Sequence, residues 1–410
     1  MIKPTNTNRR RWYVYAVFLG ILLHLIVAVG VTLYIQKQSP DGILKNSDET
    51  AYITYGHKVS QNWKTDIRSG YSDLGRGDPH TGYYYIIAAL DYVGVSNPVI
   101  LRTLNVAVGL IGIGLWGLAI SIGDKARRVS GTQVLLTLFT PSLMFMSSLI
   151  LKETWLYMLT GAMAILAALV MEEKSSIRKK TGLIACIALL LFLMTMFRGY
   201  ETLLIGGIFF VCMAVKMSWK YSLLLIAGIV ACLLIIQPYA LFYYLRILLN
   251  VDVAAHGWQA LLHADWSNPL KFLQIFYEGN STGGSAIPLD THWFAKVWLF
   301  LSFPLPWQAT SVFQKIVVPE VVLTLLLLPL ALHGMWLKCA QKHTFGIFLL
   351  AWLVVMSLFY ILLSANLGTL FRHKITLMFI YNYFVAVGFA SVFRNKAGFE
   401  EDFSNKKDIA

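Results

Sequence analysis

The sequence predicts an all-α polytopic membrane protein with about ten transmembrane helices, and two observations support this prediction. Hydrophobic residues make up 57% of the 410 residues and charged residues only 13%, which is too little charge to cover the surface of a soluble protein of this length. Apolar runs near the roughly 20 residues that span a bilayer recur along the chain. An outer-membrane barrel would instead show alternating segments of about ten residues.

The apolar runs place ten spans, which lie near residues 12–34, 98–122, 132–150, 154–171, 181–197, 202–215, 221–240, 316–336, 345–364 and 375–393. The first run is longer than the roughly 7–15 apolar residues of a signal peptide, and no small-residue cleavage site follows it, so we interpret it as a retained anchor. With ten spans, the short basic stretches all fall on one side of the membrane. They lie at 8–11, 125–128, 174–180, 216–220, 338–342 and 394–396. The positive-inside rule then predicts that both termini are cytoplasmic.

The opposite, outer side receives two long loops, about 35–97 and about 241–315. Each contains an aromatic-rich stretch, 82–95 and 293–308, that is too short to span comfortably and that we predict to form an amphipathic helix at the interface. For 82–95 a re-entrant or spanning helix is the alternative. We expect residues 1–397 to form a single integral-membrane domain, and the polar stretch 398–410 to be a disordered cytoplasmic tail.

The net charge of +13 does not indicate a nucleic-acid partner. The basic residues are concentrated in short loops beside apolar runs, which is the pattern of membrane topology and not of a basic binding face. The four cysteines are Cys186, Cys212, Cys232 and Cys339, and their positions in apolar runs and in one short basic loop imply no disulfide framework.

Two adjacent acids follow the first span, and their position raises a functional question. Ser47 is a plausible N-cap of a helix, and Asp48 and Glu49 would favour the positive end of its dipole. Apolar residues recur every four positions after them, at Ala51, Tyr55, Val59 and Trp63, as in a helix that lies on the outer leaflet. On these residues alone, the acids are either simple caps or part of a site.

The tight outer turns favour a site, because each carries ionisable residues where apolar spans meet. These residues are Lys152 and Glu153, then Arg198 and Glu201, and finally Arg372, His373 and Lys374. Charges at such depths are costly and usually face a protein interior or a polar cavity. For any one of them, snorkelling to the interface is the alternative. Collected on one face, several cations and two or more carboxylates suit a phosphate-bearing ligand and general-base chemistry.

The order of these residues resembles the GT-C superfamily of integral-membrane glycosyltransferases, especially the bacterial branch related to protein mannosyltransferases and to aminoarabinose transfer onto lipid A. In that family an acidic pair and an aromatic residue open the first outer loop, as "SDETAY" does here with Asp48, Glu49 and Tyr52. The segments "GDPHTGYYYIIAAL", "LRTLNVAVGL", "SSLILKETWLY" and "NLGTLFRHK" occupy the places of four further motifs, and they supply Asp78, Pro79, His80, Arg102, Asn105, Glu153, Arg372, His373 and Lys374.

The resemblance implies an inverting glycosyltransferase that uses a sugar on undecaprenyl phosphate, at the outer face of the bacterial cytoplasmic membrane, with a glycan or lipid as the acceptor in cell-surface polysaccharide synthesis. Asp48 is then the expected base, with Glu49 and Glu153 as further catalytic candidates. The expected substrate- and phosphate-binding residues are Lys152, Arg102, Arg198, Glu201, Arg372, His373, Lys374, Asp78 and His80. A divalent cation, Mg²⁺ or Mn²⁺, is a possible cofactor, with Asp48 and Glu153 as candidate ligands; the family's acid at the place of Glu153 is commonly Asp.

Two other functions remain open from the sequence. One is a polysaccharide polymerase or ligase of the O-antigen type, which also has two long outer loops, although it does not explain an acid pair after the first span. The other is a transporter or flippase for a lipid-linked sugar, which would be expected to show inverted repeats and charges near the midplane. The sequence shows no such repeat, and its ionisable residues gather near the outer ends of the predicted spans.

Overall fold

The computed structural model describes residues 6–45, 47–66, 81–171, 177–216, 287, 291–364 and 366–405. Within these ranges the chain forms twelve α-helices. They are α1 (Asn6–Gln38), α2 (Asp48–Thr65), α3 (Thr81–Tyr92), α4 (Pro98–Asp124), α5 (Arg127–Leu138), α6 (Pro141–Ser147), α7 (Glu153–Met171), α8 (Ile177–Lys216), α9 (Trp293–Ser302), α10 (Val312–Ala340), α11 (Thr344–Leu363) and α12 (Leu367–Asn405). The prediction of an all-α polytopic membrane protein is confirmed.

Seven of these helices are long and apolar enough to cross a bilayer, and they match seven of the ten predicted spans. They include Arg11–Gln38, Pro98–Asp124, Glu153–Met171, Thr181–Gly199, Val312–Ala340, Thr344–Leu362 and Leu367–Phe393. The two predicted long loops, about 35–97 and about 241–315, contribute the helices α3 and α9. These helices have 12 and 10 residues and are too short to span, as the sequence predicts.

The three other predicted spans are not among these seven helices. The predicted span at 132–150 is a pair of helices, α5 and α6, bent by 64°; Pro141, the first residue of α6, has no backbone N–H to continue α5. The predicted span at 202–215 is a short apolar helix, Glu201–Met213. The predicted span at 221–240 lies outside the described residues. With the bent pair counted as one span, the described chain has up to eight.

The chain end also differs from the prediction. Helix α12 continues to Asn405, so residues 398–405 are helical where the sequence suggested disorder. No proline interrupts this stretch, and its helical register continues directly from the last span. Residues 406–410 lie outside the described ranges.

Helix α2 packs on α3, and this contact sets which of its faces is buried. A Cβ atom at Gly56 would lie 2.5 Å from Cγ2 of Ile87, so only glycine allows the two helices to approach this closely. The buried face therefore follows Tyr52, Gly56 and Val59, while Tyr55, which the sequence placed on the apolar stripe, is exposed. Packing against α3 therefore sets the face of α2 that is buried in the protein, and contact of the helix with the outer leaflet stays a prediction.

The helix ends define two ends of the bundle. Arg102, in the first turns of α4, pairs with Glu49, whereas Asp124, the last residue of the same helix, pairs with Lys338 and lies 3.8 Å from Nε2 of His343. We call these the acid end and the far end. Because the basic stretches 125–128 and 338–342 both adjoin the far end, the structure places them on one side of the bundle, as the predicted topology requires.

The crossing of α10 and α12 depends on two glycines. A Cβ atom at Gly334 would lie 2.1 Å from the backbone oxygen of Phe384, and one at Gly388 would lie 2.1 Å from that of Leu330. No real Cβ contact is this short, so any larger residue must push the helix backbones apart.

We therefore expect Gly334→Ala to destabilise the protein by about 1–3 kcal/mol, the usual cost of overpacking a close contact. The measurement is thermal unfolding of the purified protein in one detergent. Gly114→Ala is the matched control, because a Cβ atom at this position in α4 meets no atom within 4 Å. Equal melting temperatures of Gly334→Ala and Gly114→Ala would contradict the close crossing.

Candidate active site

Asp48 begins α2 and faces the last spanning helix. Its Oδ2 accepts a hydrogen bond from Nη1 of Arg372, which lies 324 residues further along the chain. The side chains of Asp48 and Arg372 are 49% and 32% exposed, so this ion pair is open to a ligand. Ser47 is the N-cap residue, as predicted, but its hydroxyl donates to the backbone oxygen of Leu44 at 2.5 Å and makes no side-chain capping bond.

Glu49 has a different environment from its neighbour. It is buried and accepts a hydrogen bond from Nη2 of Arg102, which also donates to the backbone oxygen of Gly42 at 2.8 Å. Burial raises the pKa of Glu49 to about 7, against the lowering effect of the Arg102 charge. The pair joins the first turn of α2 to α4 and to the loop that precedes α2. Because Glu49 and Arg102 are both buried, they stabilise the position of Asp48 and are not themselves accessible to a ligand.

A second group of charges lies where α6, α7 and the break in α8 meet. Nη2 of Arg198 lies 2.8 Å from Oε1 of Glu153, and Nη1 of the same guanidinium donates to Glu201. Nζ of Lys152 donates to the backbone oxygen of Phe197 at 3.1 Å. Arg198 has φ −156° and ψ 89° inside an otherwise helical segment, and this break allows one arginine to reach both acids.

The two groups lie within electrostatic reach of each other. Tyr52, a buried residue one turn after Asp48, has its pKa raised by burial and then by the charges of Glu153 and Asp48. Burial and the Arg198 charge lower the pKa of Lys152 to about 7, while Glu153, Glu201 and Asp48 act in the opposite direction. Acids and cations from five separate stretches of the chain therefore share the acid end.

Two predicted cations have other contacts. His373 is buried, stacks on Tyr360 with ring centroids 4.3 Å apart, and has Nδ1 3.3 Å from the hydroxyl of Ser364. Lys374 is also buried, and its ammonium donates to the backbone oxygens of Leu301 and Phe303 at 3.2 and 3.1 Å. These bonds attach α12 to the end of α9, so Lys374 as placed serves that junction and not the acid cluster.

The two remaining predicted binding residues, Asp78 and His80, lie outside the described residues. The carboxylates proposed as metal ligands are each paired with a guanidinium, Asp48 with Arg372 and Glu153 with Arg198. Among the described residues, no group of three or more His, Cys, Asp or Glu side chains is arranged to hold a metal ion.

Sequence reasoning missed several residues near the site. Glu320 lies within the spanning helix α10, is buried, and accepts hydrogen bonds from the backbone N and the hydroxyl of Ser142, both at 2.7 Å. His24, within α1, lies 3.2 Å from the backbone oxygen of Leu138. The prediction that ionisable residues gather near the outer ends of the spans did not include these two side chains, which both contact the bent pair α5–α6. An acid in an apolar run was the available signal.

Comparison with known proteins then identifies the fold. The structure is similar to ArnT from Cupriavidus metallidurans bound to undecaprenyl phosphate, with a TM-score of 0.55, 13% sequence identity and 91% of this chain covered. The chain spans 59% of the length of that protein. The chain therefore shares the overall fold of that protein. No family model and no curated protein matches the sequence.

At this identity the likeness establishes the arrangement of helices and not the chemistry. It agrees with the prediction of an all-α polytopic membrane protein. What the residues of the acid end do has to be argued from their own geometry.

Proposed function

We propose that this protein transfers a sugar from a polyprenyl-phosphate donor to a hydroxyl group of a glycan or lipid acceptor, at the outer face of the bacterial cytoplasmic membrane. The observation that carries the proposal is the exposed Asp48–Arg372 pair, set beside the buried Lys152, Glu153 and Arg198, in a fold similar to that of ArnT. A carboxylate that can take a proton and several fixed cations are the groups that such a transfer needs.

In this mechanism Asp48 acts as the base. Its carboxylate takes the proton of the acceptor hydroxyl while that oxygen attacks the anomeric carbon of the donor. The bond between the anomeric carbon and the phosphate oxygen breaks, and its electron pair leaves with the lipid phosphate. A single displacement of this kind inverts the configuration at the anomeric carbon.

The cations stabilise the leaving phosphate. Charge on the phosphate increases as the bond breaks, so fixed positive groups lower the transition state more than the ground state. Arg372 is the most accessible cation, and its guanidinium has five donors, of which the bond to Asp48 uses one. Lys152 and Arg198 lie deeper and would act through their charge.

Glu153 is suited to binding a sugar hydroxyl. Its Oε1 accepts from Arg198, whereas its buried Oε2 has no hydrogen-bond partner within the described residues. One turn later on α7 the hydroxyl of Tyr157 is also buried without a partner there. An acceptor and a donor one helical turn apart suit the several hydroxyl groups of a carbohydrate.

The four acids of the acid end, Asp48, Glu49, Glu153 and Glu201, do not fit a divalent-cation site, since each is paired with an arginine. We therefore write no step through a metal. The proposed orientation places the acid end outside and both termini in the cytoplasm, which agrees with the basic stretches that adjoin the far end. Undecaprenyl phosphate, the lipid present in the ArnT structure, is the proposed carrier, and cell-surface polysaccharide synthesis is the proposed pathway.

The decisive experiment is transfer by the purified protein in nanodiscs from labelled lipid-linked sugars, with and without EDTA. We expect turnover of polyprenyl-monophosphate sugars with inversion at the anomeric carbon and little effect of EDTA. Turnover of pyrophosphate-linked oligosaccharides alone would favour the polymerase function. Movement of intact donor across the bilayer without transfer would favour a flippase.

The state of Lys152 predicts a pH dependence of carrier binding. With a pKa of about 7, its ammonium is present below pH 7 and is lost as the pH rises above it, so the affinity for the phosphate should fall, by a limit of about tenfold per pH unit. Lys152→Arg keeps the charge at every pH. The measurement is the affinity of the wild-type protein and of Lys152→Arg for undecaprenyl phosphate between pH 6 and 8.5. The ratio of the two affinities at each pH cancels the titration of the lipid itself. A constant ratio would contradict the prediction.

A further inference from the structure

The break between α6 and α7 delivers Lys152 and Glu153 to the site and leaves polar backbone groups buried. Residues 148–152 are not helical, and Leu149, Ile150 and Leu151 are buried. Carbonyl groups in such a break need hydrogen-bond partners from another part of the protein, because lipid offers none.

Asn105 of α4 supplies these partners. Its Nδ2 lies 2.6 Å from the backbone oxygen of Leu149 and 3.1 Å from that of Leu151. Its Oδ1 accepts from the indole Nε1 of Trp155 at 3.2 Å. The hydroxyl of Tyr83 lies 3.1 Å from Nδ2 and 3.3 Å from Oδ1. The amide is fully buried in this set of contacts.

The chemistry of the partners determines which way the amide points. Two backbone carbonyls can only accept, and an indole N–H can only donate, so Nδ2 must face Leu149 and Leu151 and Oδ1 must face Trp155. Aspartate lacks the two donors, leucine lacks donors and acceptor, and glutamine is longer by one methylene. Only asparagine meets this combination with this reach.

The same region of α4 is also connected to the helix that carries Asp48. Arg102 of α4 pairs with Glu49 of α2. Tyr83 of α3, the hydrogen-bond partner of Asn105, packs edge-to-face on Tyr52 of α2, with ring centroids 4.8 Å apart and planes at 87°. The first turns of α4 therefore touch both halves of the site: the acid pair on α2 and the segment that precedes α7.

We propose that Asn105 is a positioning residue, whose amide bonds to Leu149 and Leu151 fix the segment carrying Lys152 and Glu153 relative to Asp48. The inference deepens the proposed function and rests on it. Transfer between a bound donor and a bound hydroxyl depends on the alignment of the reacting groups, and a misplacement of about 1 Å costs on the order of 100-fold in rate.

The test compares Asn105→Leu with Asn382→Leu. Asn382 is a matched control because it is also a buried asparagine of a spanning helix, but its Nδ2 donates to the hydroxyl of Thr137 at 3.2 Å, away from the acid residues. Thr137 keeps its bonds to Gln133 when Asn382 is replaced. Both variants are purified in the same detergent and checked for monodispersity.

Two measurements are made on each folded variant: the kinetics of sugar transfer and the hydrogen exchange of backbone amides in residues 148–153. For Asn105→Leu we expect kcat to fall on the order of 100-fold, the donor KM to stay within about threefold, and exchange to accelerate at 148–153. Asn382→Leu should leave both unchanged. Wild-type kcat, a change in KM alone, or unaltered exchange at 148–153 would overturn the proposal.

A second variant applies if Asn105→Leu does not fold. The double variant Tyr83→Phe/Trp155→Phe removes the donors to Oδ1 of Asn105, so that the amide can rotate. We expect kcat to fall about tenfold, and an unchanged kcat rejects the positioning role. If the wild-type protein transfers no sugar from any polyprenyl-phosphate donor, the proposed function fails, and hydrogen exchange alone decides whether Asn105 holds the segment.

Discussion

Asp48→Asn is expected to abolish most sugar transfer while leaving the carrier bound. Asparagine keeps the shape of aspartate and can still contact Arg372, but it cannot take the proton of the acceptor hydroxyl. A positioned base contributes about 10²–10⁴-fold to such a step, so kcat should fall by that order while the donor KM stays within about threefold. The measurement is steady-state transfer in nanodiscs, with carrier binding followed separately.

Asp91→Asn is the matched control for this experiment. Asp91 is an acid on α3, the helix that packs on α2, and pairs with His57 at 3.1 Å without joining the acid cluster. Its replacement should leave kcat unchanged. If Asp48→Asn keeps wild-type turnover, Asp48 is not the base, and equal losses in both variants would indicate a general effect of removing an acid.

Arg198→Leu is expected to have the largest effect on stability. The arginine is buried and pairs with both Glu153 and Glu201, so its removal takes the ion-pair partner from two buried carboxylates. Breaking a buried ion pair from one side typically costs about 3–5 kcal/mol. We expect a marked fall in the melting temperature and in the yield of folded protein, whereas Arg128→Leu, at an exposed arginine of α5, should have little effect.

A compensating variant separates this electrostatic cost from lost packing. Replacing Glu153 and Glu201 with glutamine in the Arg198→Leu background removes the unpaired charges and should recover much of the stability, because glutamine is neutral and of similar shape. Transfer should not recover, since the site then lacks three charged groups. No recovery of the melting temperature would show that the arginine acts mainly by filling space.

Much of the fold could be predicted from the sequence because hydropathy and span length are strong, local signals. The boundaries of seven spans follow the apolar runs closely. The predicted tight turns supply part of the acid end, namely Lys152, Glu153, Arg198, Glu201 and Arg372. Charged residues near an apolar span are costly unless they contact one another. The sequence therefore predicts a shared site for Asp48 and Arg372, and the two side chains are in contact although 324 residues separate them.

The individual pairings could not be predicted, because they depend on helix packing and not on local pattern. Nothing in the sequence assigns Arg102 to Glu49 or Lys374 to the end of α9. The bend at Pro141 was also missed, since an apolar run reads as one span whether or not its helix is broken. Tertiary packing through Gly56 likewise decided which face of α2 is buried.

The most direct test of the account is to locate the phosphate of the bound carrier. A polyprenyl phosphate with a photoreactive group on the isoprene unit nearest the phosphate can be cross-linked to the protein in nanodiscs and the adducts mapped by mass spectrometry. Adducts at the acid end, in residues 47–52, 152–153 and around Arg372, are predicted, and they should be lost with Arg372→Gln. Adducts near Asp124 and Lys338 at the far end, or labelling that excess undecaprenyl phosphate does not compete away, would contradict the proposed site.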